Sequence, residues 1–70
     1  MDKIKLAMKV KVLRSGEWMT QQQLAIDSGL TPTTISRIEN GKGASIASLK
    51  KIVKALGTNM HEFDDIMEDE

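Results

Sequence analysis

Arg37 stands between Ile35 and Ile38, with Thr33 and Ser36 close by and Pro32 opening the same short stretch. Isoleucines at that spacing share the inner face of a helix, so Pro32, Thr33, Ser36 and Arg37 fall on the outer face together. A guanidinium presents two parallel donors that fit O6 and N7 of guanine, the commonest specific contact in the major groove of duplex DNA. Thr33 can set its methyl group against a thymine methyl, and Pro32 offers apolar contact only. Thr34 lies nearer the rim, where a hydroxyl reaches a phosphate. The competing reading of Arg37 is a phosphate contact or a surface salt bridge. Gln21 follows Thr20 at the start of another helix, beside backbone N–H groups with no helical partner. An amide there can donate to a phosphate oxygen. The competing reading is an exposed glutamine with no role.

No comparable set of residues suits catalysis. The 70 residues contain no cysteine and one histidine, His61, placed near a helix start. A disulfide framework and a thiolate metal site are excluded, and no Ser/His/Cys constellation exists. The expectation is therefore no enzyme, no cofactor and no metal centre. Trp18 and Phe63 are the only aromatic residues, too few for binding single strands by base stacking. No stretch longer than nine residues lacks a charge, so no bilayer-spanning segment is expected. Lysines crowd the N-terminus where a secretory signal needs apolar residues, which points to a cytoplasmic protein.

The formal net charge of zero conceals two unlike segments. Residues 1–61 hold all ten basic residues and only Asp2, Glu17, Asp27 and Glu39 as acids, a net of +6. Residues 62–70 carry −6. A basic body with an acidic end suggests a polyanion partner for the body, and solvated lysine faces are the plainer alternative.

Helices must position these residues, because the pattern contains no strand. Leu6, Val10 and Leu13 predict an amphipathic helix over about residues 3–15, capped by Asp2 and stopped at Gly16. Thr20 and Gln23 match a capping box, with Gln23 reaching back, and Gly29 ends that second helix. Thr31 caps a third with Pro32 at its first position, running over 32–40 to Gly41. Ser45 caps a fourth that carries Ile46, Leu49, Ile52, Val53 and Leu56 and closes at Gly57. Asn59 and Glu62 open a fifth with Met60, Phe63, Ile66 and Met67. The expected fold is all-α, a compact five-helix bundle: one domain over 1–67 with a two-helix motif at 20–41, then an acidic tail at 68–70. Small Ala25, Gly29, a buried Leu30 and the two isoleucines have the spacing of a helix-turn-helix, whose second helix enters the major groove. A generic helical hairpin is the alternative.

The run Leu13-Arg14, Gln21-Gln22-Gln23-Leu24-Ala25, Gly29-Leu30-Thr31 and Ile35-Ser36-Arg37-Ile38-Glu39-Asn40-Gly41-Lys42 resembles the phage Cro/C1 repressor (XRE-type) family. Leu49 through Gly57 and then Phe63 extend the resemblance. It implies a bundle of the lambda-repressor-like type. It also implies phosphate contacts by Gln21, Thr31, Thr34, Asn40 and Lys42, and base contacts by Pro32, Thr33, Ser36 and Arg37. An internal salt bridge between Arg14 and Glu39 is implied as well, with a dimer interface around Phe63, Ile66 and Met67. Three positions depart from the family pattern. Trp18 replaces a small turn residue such as glycine, Ala44 replaces a common proline, and Pro32 replaces a long polar base-reading side chain.

The function so implied is sequence-specific binding of double-stranded DNA by a homodimeric transcriptional regulator, a repressor acting by promoter occupancy. A restriction–modification controller and a toxin–antitoxin antidote share the length and motif. An antidote would need the acidic tail as its protein-binding segment. An interaction module that never touches DNA is the alternative from a different class, and Arg37, Gln21 and Lys42 together disfavour it.

Overall fold

Asp2 starts the first helix by accepting the N–H groups of Ile4 and Lys5 on Oδ1, at 3.1 and 3.0 Å. In the computed structural model, which describes residues 1–67, α1 then runs over Lys3–Gly16. The acidic tail expected at 68–70 lies outside the described residues. Thr20 caps α2, Gln21–Ser28, by accepting the N–H of Gln23 at 3.0 Å. Thr31 does the same for α3, Pro32–Arg37, and Ser45 for α4, Ile46–Ala55. Each of the three hydroxyls satisfies one of the four N–H groups that a helix start leaves free, and Asp2 satisfies two.

Two elements are less regular than the sequence pattern suggests. The third helix is α-helical only to Arg37, and Ile38–Lys42 forms a wider π-type turn that reverses at Gly41, φ 85°. The last helix begins as a 3-10 turn, Met60–Phe63, and becomes α5 over Asp64–Met67. Asn59 accepts the N–H of His61 there rather than forming a box with Glu62.

The core lies between α1, α4 and the two short helices. Leu6 and Val10 of α1 meet Leu24, Ala25, Ile35, Ile38, Leu49, Ile52, Val53 and Leu56. The C-terminal segment closes the remaining side. Phe63 and Ile66 are 0% and 2% exposed, and the Ile66 carbonyl accepts the N–H of Asp2 at 3.1 Å. The expected dimer contact through Phe63 and Ile66 is thus corrected: both belong to the protomer's own core, and only Met67 of that trio keeps partial exposure. The reason is size. A bundle this small has no interior large enough to be completed without its last turn.

α1 stops at Gly16, as the sequence pattern expects, but its left-handed residue comes later. α2 and α4 finish in the same hydrogen-bond pattern, with Leu30 N–H bonded to Ala25 O and Thr58 N–H to Val53 O around left-handed Gly29 and Gly57. α1 finishes identically, with Met19 N–H to Arg14 O at 3.2 Å and Trp18 N–H to Ser15 O at 3.0 Å. There the left-handed residue is Trp18, φ 60°, and not Gly16.

Candidate nucleic-acid interface

The α2–α3 unit is held at its turn by hydrogen bonds that leave no loose backbone. Gly29 takes φ 72°, which only a residue without Cβ adopts freely. Buried Ser28 donates from Oγ to Leu24 O at 2.7 Å, a bond that the spacing of apolar residues did not signal. Ala25 is buried in the core. This geometry turns one side of α3 inward, with Ile35 and Ile38 in the core, and leaves the other to solvent.

Pro32, Thr33 and Arg37 are exposed on that outer side, with Ser36 half-buried beside them. Ser36 is joined to Asn40 one turn on, whose Nδ2 donates to Ser36 Oγ at 3.3 Å. The four residues expected to meet bases therefore share one face. Among the described residues Arg37 pairs with no carboxylate. Thr31 and Thr34 bond through their hydroxyls at 3.0 Å at the N-terminal edge of the face. Asn40 and Lys42 are exposed at its other edge, on the π-type turn. Gly41 is needed in that turn. Its φ is strained for any side chain, and a Cβ there would stand 3.0 Å from Ile4 Cδ1.

Behind the face lies a polar cluster. Arg14 Nε donates to Glu39 Oε2 at 2.7 Å, and Arg14 Nη2 to Glu39 Oε1 at 3.0 Å. This is the two-pronged geometry in which guanidinium and carboxylate match best. Arg14 Nη1 also donates to Met19 O at 2.7 Å, and Gln21 Nε2 to Glu39 Oε1 at 3.0 Å. The Glu39 side chain is 1% exposed and that of Arg14 14%. Burial alone would raise the Glu39 carboxyl. The hydrogen bonds from Arg14 and Gln21, with the positive charges of Arg14 and Lys11, outweigh it and hold the group below its ordinary range. The bond to Glu39 raises Arg14 in turn, against the opposing effect of burial.

Gln21 is the residue whose side chain is placed least as expected. Its amide nitrogen is turned inward to Glu39, leaving one N–H and the backbone at the start of α2 for an outside acceptor. Gln23 does not reach back to close a capping box; its Nε2 donates forward to Asp27 Oδ1 at 2.8 Å. An i, i+4 partner on the same exposed face competes for that amide and holds it.

The arrangement is an exposed convex face with a rigid back. Its exposed side chains offer a guanidinium, hydroxyls, an amide and an ammonium to an outside partner. None of the helices described is long and apolar enough to cross a membrane.

Comparison with known proteins agrees with this geometry. A family model described as helix-turn-helix matches residues 19–63. The chain is similar to the wild-type restriction–modification controller protein C.Esp1396I, with 35% identity over 93% of this chain and 87% of that one, at a TM-score of 0.81. A tyrosine-to-phenylalanine mutant of the same controller, bound to its highest affinity operator site OM, aligns with 35% identity over the same shares, at a TM-score of 0.82. No curated protein matches the chain in sequence.

Proposed function

The chain belongs to the Cro/C1-type (XRE) helix-turn-helix family, and from that premise we propose that it is a sequence-specific regulator of transcription that binds double-stranded DNA through the outer face of α3. The observation that carries the reading is that face itself. Pro32, Thr33, Ser36 and Arg37 are gathered on one side of a short helix, and donors lie on both flanks. Arg37 would take a guanine, Thr33 a thymine methyl, and Pro32 and Ser36 the adjoining edges. Gln21, Thr31 and Thr34 would hold one phosphate strand and Asn40 and Lys42 the other, contacts that set position and carry no sequence information. The acting domain is residues 1–67, its motif 20–41, in the cytoplasm, as a repressor by promoter occupancy.

The restriction–modification context is favoured among those that share this motif, because C.Esp1396I is such a controller and aligns over most of both chains. Selection of bound sequences from random duplex DNA tests the function. Recovery of a two-fold symmetric motif is expected, and enrichment of nothing would overturn it.

We also propose a homodimer, since a four-residue reading face specifies few base pairs and a two-fold operator doubles them. With Phe63 and Ile66 taken up by the core, α1 offers an apolar surface to a second copy. Ile4, Met8 and Val12 are exposed at i, i+4 and i+8 and form one ridge. Beside it runs a groove lined by Lys5, Met8, Lys9, Val12, Asp65 and Ile66. A ridge next to a groove is complementary to itself under a two-fold axis. Sedimentation should find wild type dimeric and Met8→Glu a folded monomer. A wild type that stays monomeric at high micromolar concentration would sink this arrangement.

A further inference from the structure

Trp18 combines two costs that nothing within the described chain offsets. It is 95% exposed, the most exposed large apolar side chain described. It also holds φ 60°, a left-handed conformation that disfavours side chains. The ends of α2 and α4 solve the same turn with Gly29 and Gly57. The closing hydrogen bonds of α1 come from backbone groups, so glycine would serve the turn as well. The fold therefore gives no reason for an indole at this place.

Its surroundings do. The carbonyl of Met19, the next residue, is held by Arg14 Nη1 at 2.7 Å. The same guanidinium grips Glu39, which also binds Gln21. The 17–19 turn is thereby tied through Arg14 to Glu39 and, through Glu39, to Gln21 at the start of α2. Gln21 is among the residues assigned above to a phosphate, so the turn and that contact share one anchor in Glu39 and Arg14.

We infer that Trp18 is a DNA-backbone contact: its ring lies on a deoxyribose flanking the half-site, and its Nε1–H donates to a phosphate oxygen. The inference rests on the DNA-binding reading above. An indole carries no charge and meets no base edge. Its contribution is therefore the same on every sequence, and it displaces no counterion. These two properties separate it from Arg37, which discriminates bases, and from Lys42, which sets a salt dependence.

Trp18 is the only tryptophan, so its fluorescence reports on this contact alone. Titrating the full chain with the selected operator, and with a random 30-base-pair duplex, should shift emission to the blue and protect it from acrylamide. Trp18→Gly should bind both duplexes about tenfold more weakly, as for loss of one hydrogen bond to a charged group, with an unchanged salt slope. Its melting temperature should equal or exceed that of wild type, because the left-handed strain is gone. Trp18→Phe should recover part of the affinity. Unchanged emission and full affinity of Trp18→Gly on an operator that still binds would overturn the inference and leave the regulator intact. An emission shift that follows protein concentration without DNA would reassign Trp18 to a contact between copies. Failure of the wild type to bind any duplex would remove the DNA-binding reading, and this contact with it.

Discussion

Behind α3, each carboxylate oxygen of Glu39 has a donor, and among the described residues no buried side-chain nitrogen or oxygen lacks a partner. In front of α3, about half a turn away, Arg37 stands in solvent without a carboxylate, among short hydroxyl side chains. Both places use an arginine, to opposite ends. Arg14 makes three hydrogen bonds within this chain, which hold the first helix to the third. Arg37 keeps its donors for an outside acceptor, so its loss should be invisible to the free protein. A face that reads DNA has to be left unsatisfied, and a rigid back is what keeps it from collapsing onto itself.

The sharpest way to break the contrast is to strand Glu39. Arg14→Ala leaves a carboxylate with 1% exposure and only Gln21 as a partner. Removing one member of a buried pair costs about 3–5 kcal/mol, against a total stability of roughly 5–15 kcal/mol, with small domains at the low end. Thermal unfolding should begin at or near room temperature. Glu39→Ala should cost less, since Arg14 is the more exposed member and keeps the Met19 carbonyl. Equal melting temperatures for wild type and Arg14→Ala would place the pair in water instead.

On the other side of the helix, Arg37→Ala should leave the melting curve unchanged. It should cost about 1–3 kcal/mol on the selected operator and relax preference at one base pair per half-site. Affinities for single-base operator variants decide this. A uniform loss across all variants would make Arg37 a phosphate contact and shift reading to Thr33, Ser36 and DNA shape.

Lys42→Ala should weaken every sequence alike, and lower the slope of log affinity against log salt by roughly one per protomer. Titration at two salt concentrations is sufficient. An unchanged slope would return Lys42 to the role of a solvated surface charge.

The smallest expected effect comes from acid. The Glu39 carboxyl is held below its ordinary value of 4.5 in the folded chain. The stability it confers is therefore complete above that value and is lost as the pH falls through the lower, folded one. Unfolding in urea from pH 6 down to pH 3 should show a steeper loss for wild type than for Glu39→Gln. Parallel curves would mean that Glu39 titrates alike in both states.

Much of the frame was legible because it is local. Thr20, Thr31 and Ser45 each accept an N–H three residues on, and Gly29 and Gly57 each supply a left-handed turn. Such features depend on a handful of neighbours and survive in almost any tertiary setting. The outer face of α3 was legible for the same reason, once Ile35 and Ile38 were assigned inward. The glutamines were not. Gln23 chose Asp27 and Gln21 chose Glu39, because an amide has several reachable partners and the sequence does not rank them.

The sequence by itself determined the helices, their starts and most of their stops, and which side of α3 meets solvent. Short-range hydrogen bonding and the 3.6-residue period leave little freedom in these matters. The family resemblance already implied the Arg14–Glu39 pair, and only the tertiary structure decided that Gln21 would join it as a third member. It also decided that Phe63 and Ile66 would complete the core, and that Trp18 itself would take the left-handed conformation that closes α1. Each of these depends on where distant segments come to rest. That is set by packing the whole apolar surface at once, and no window along the chain contains it.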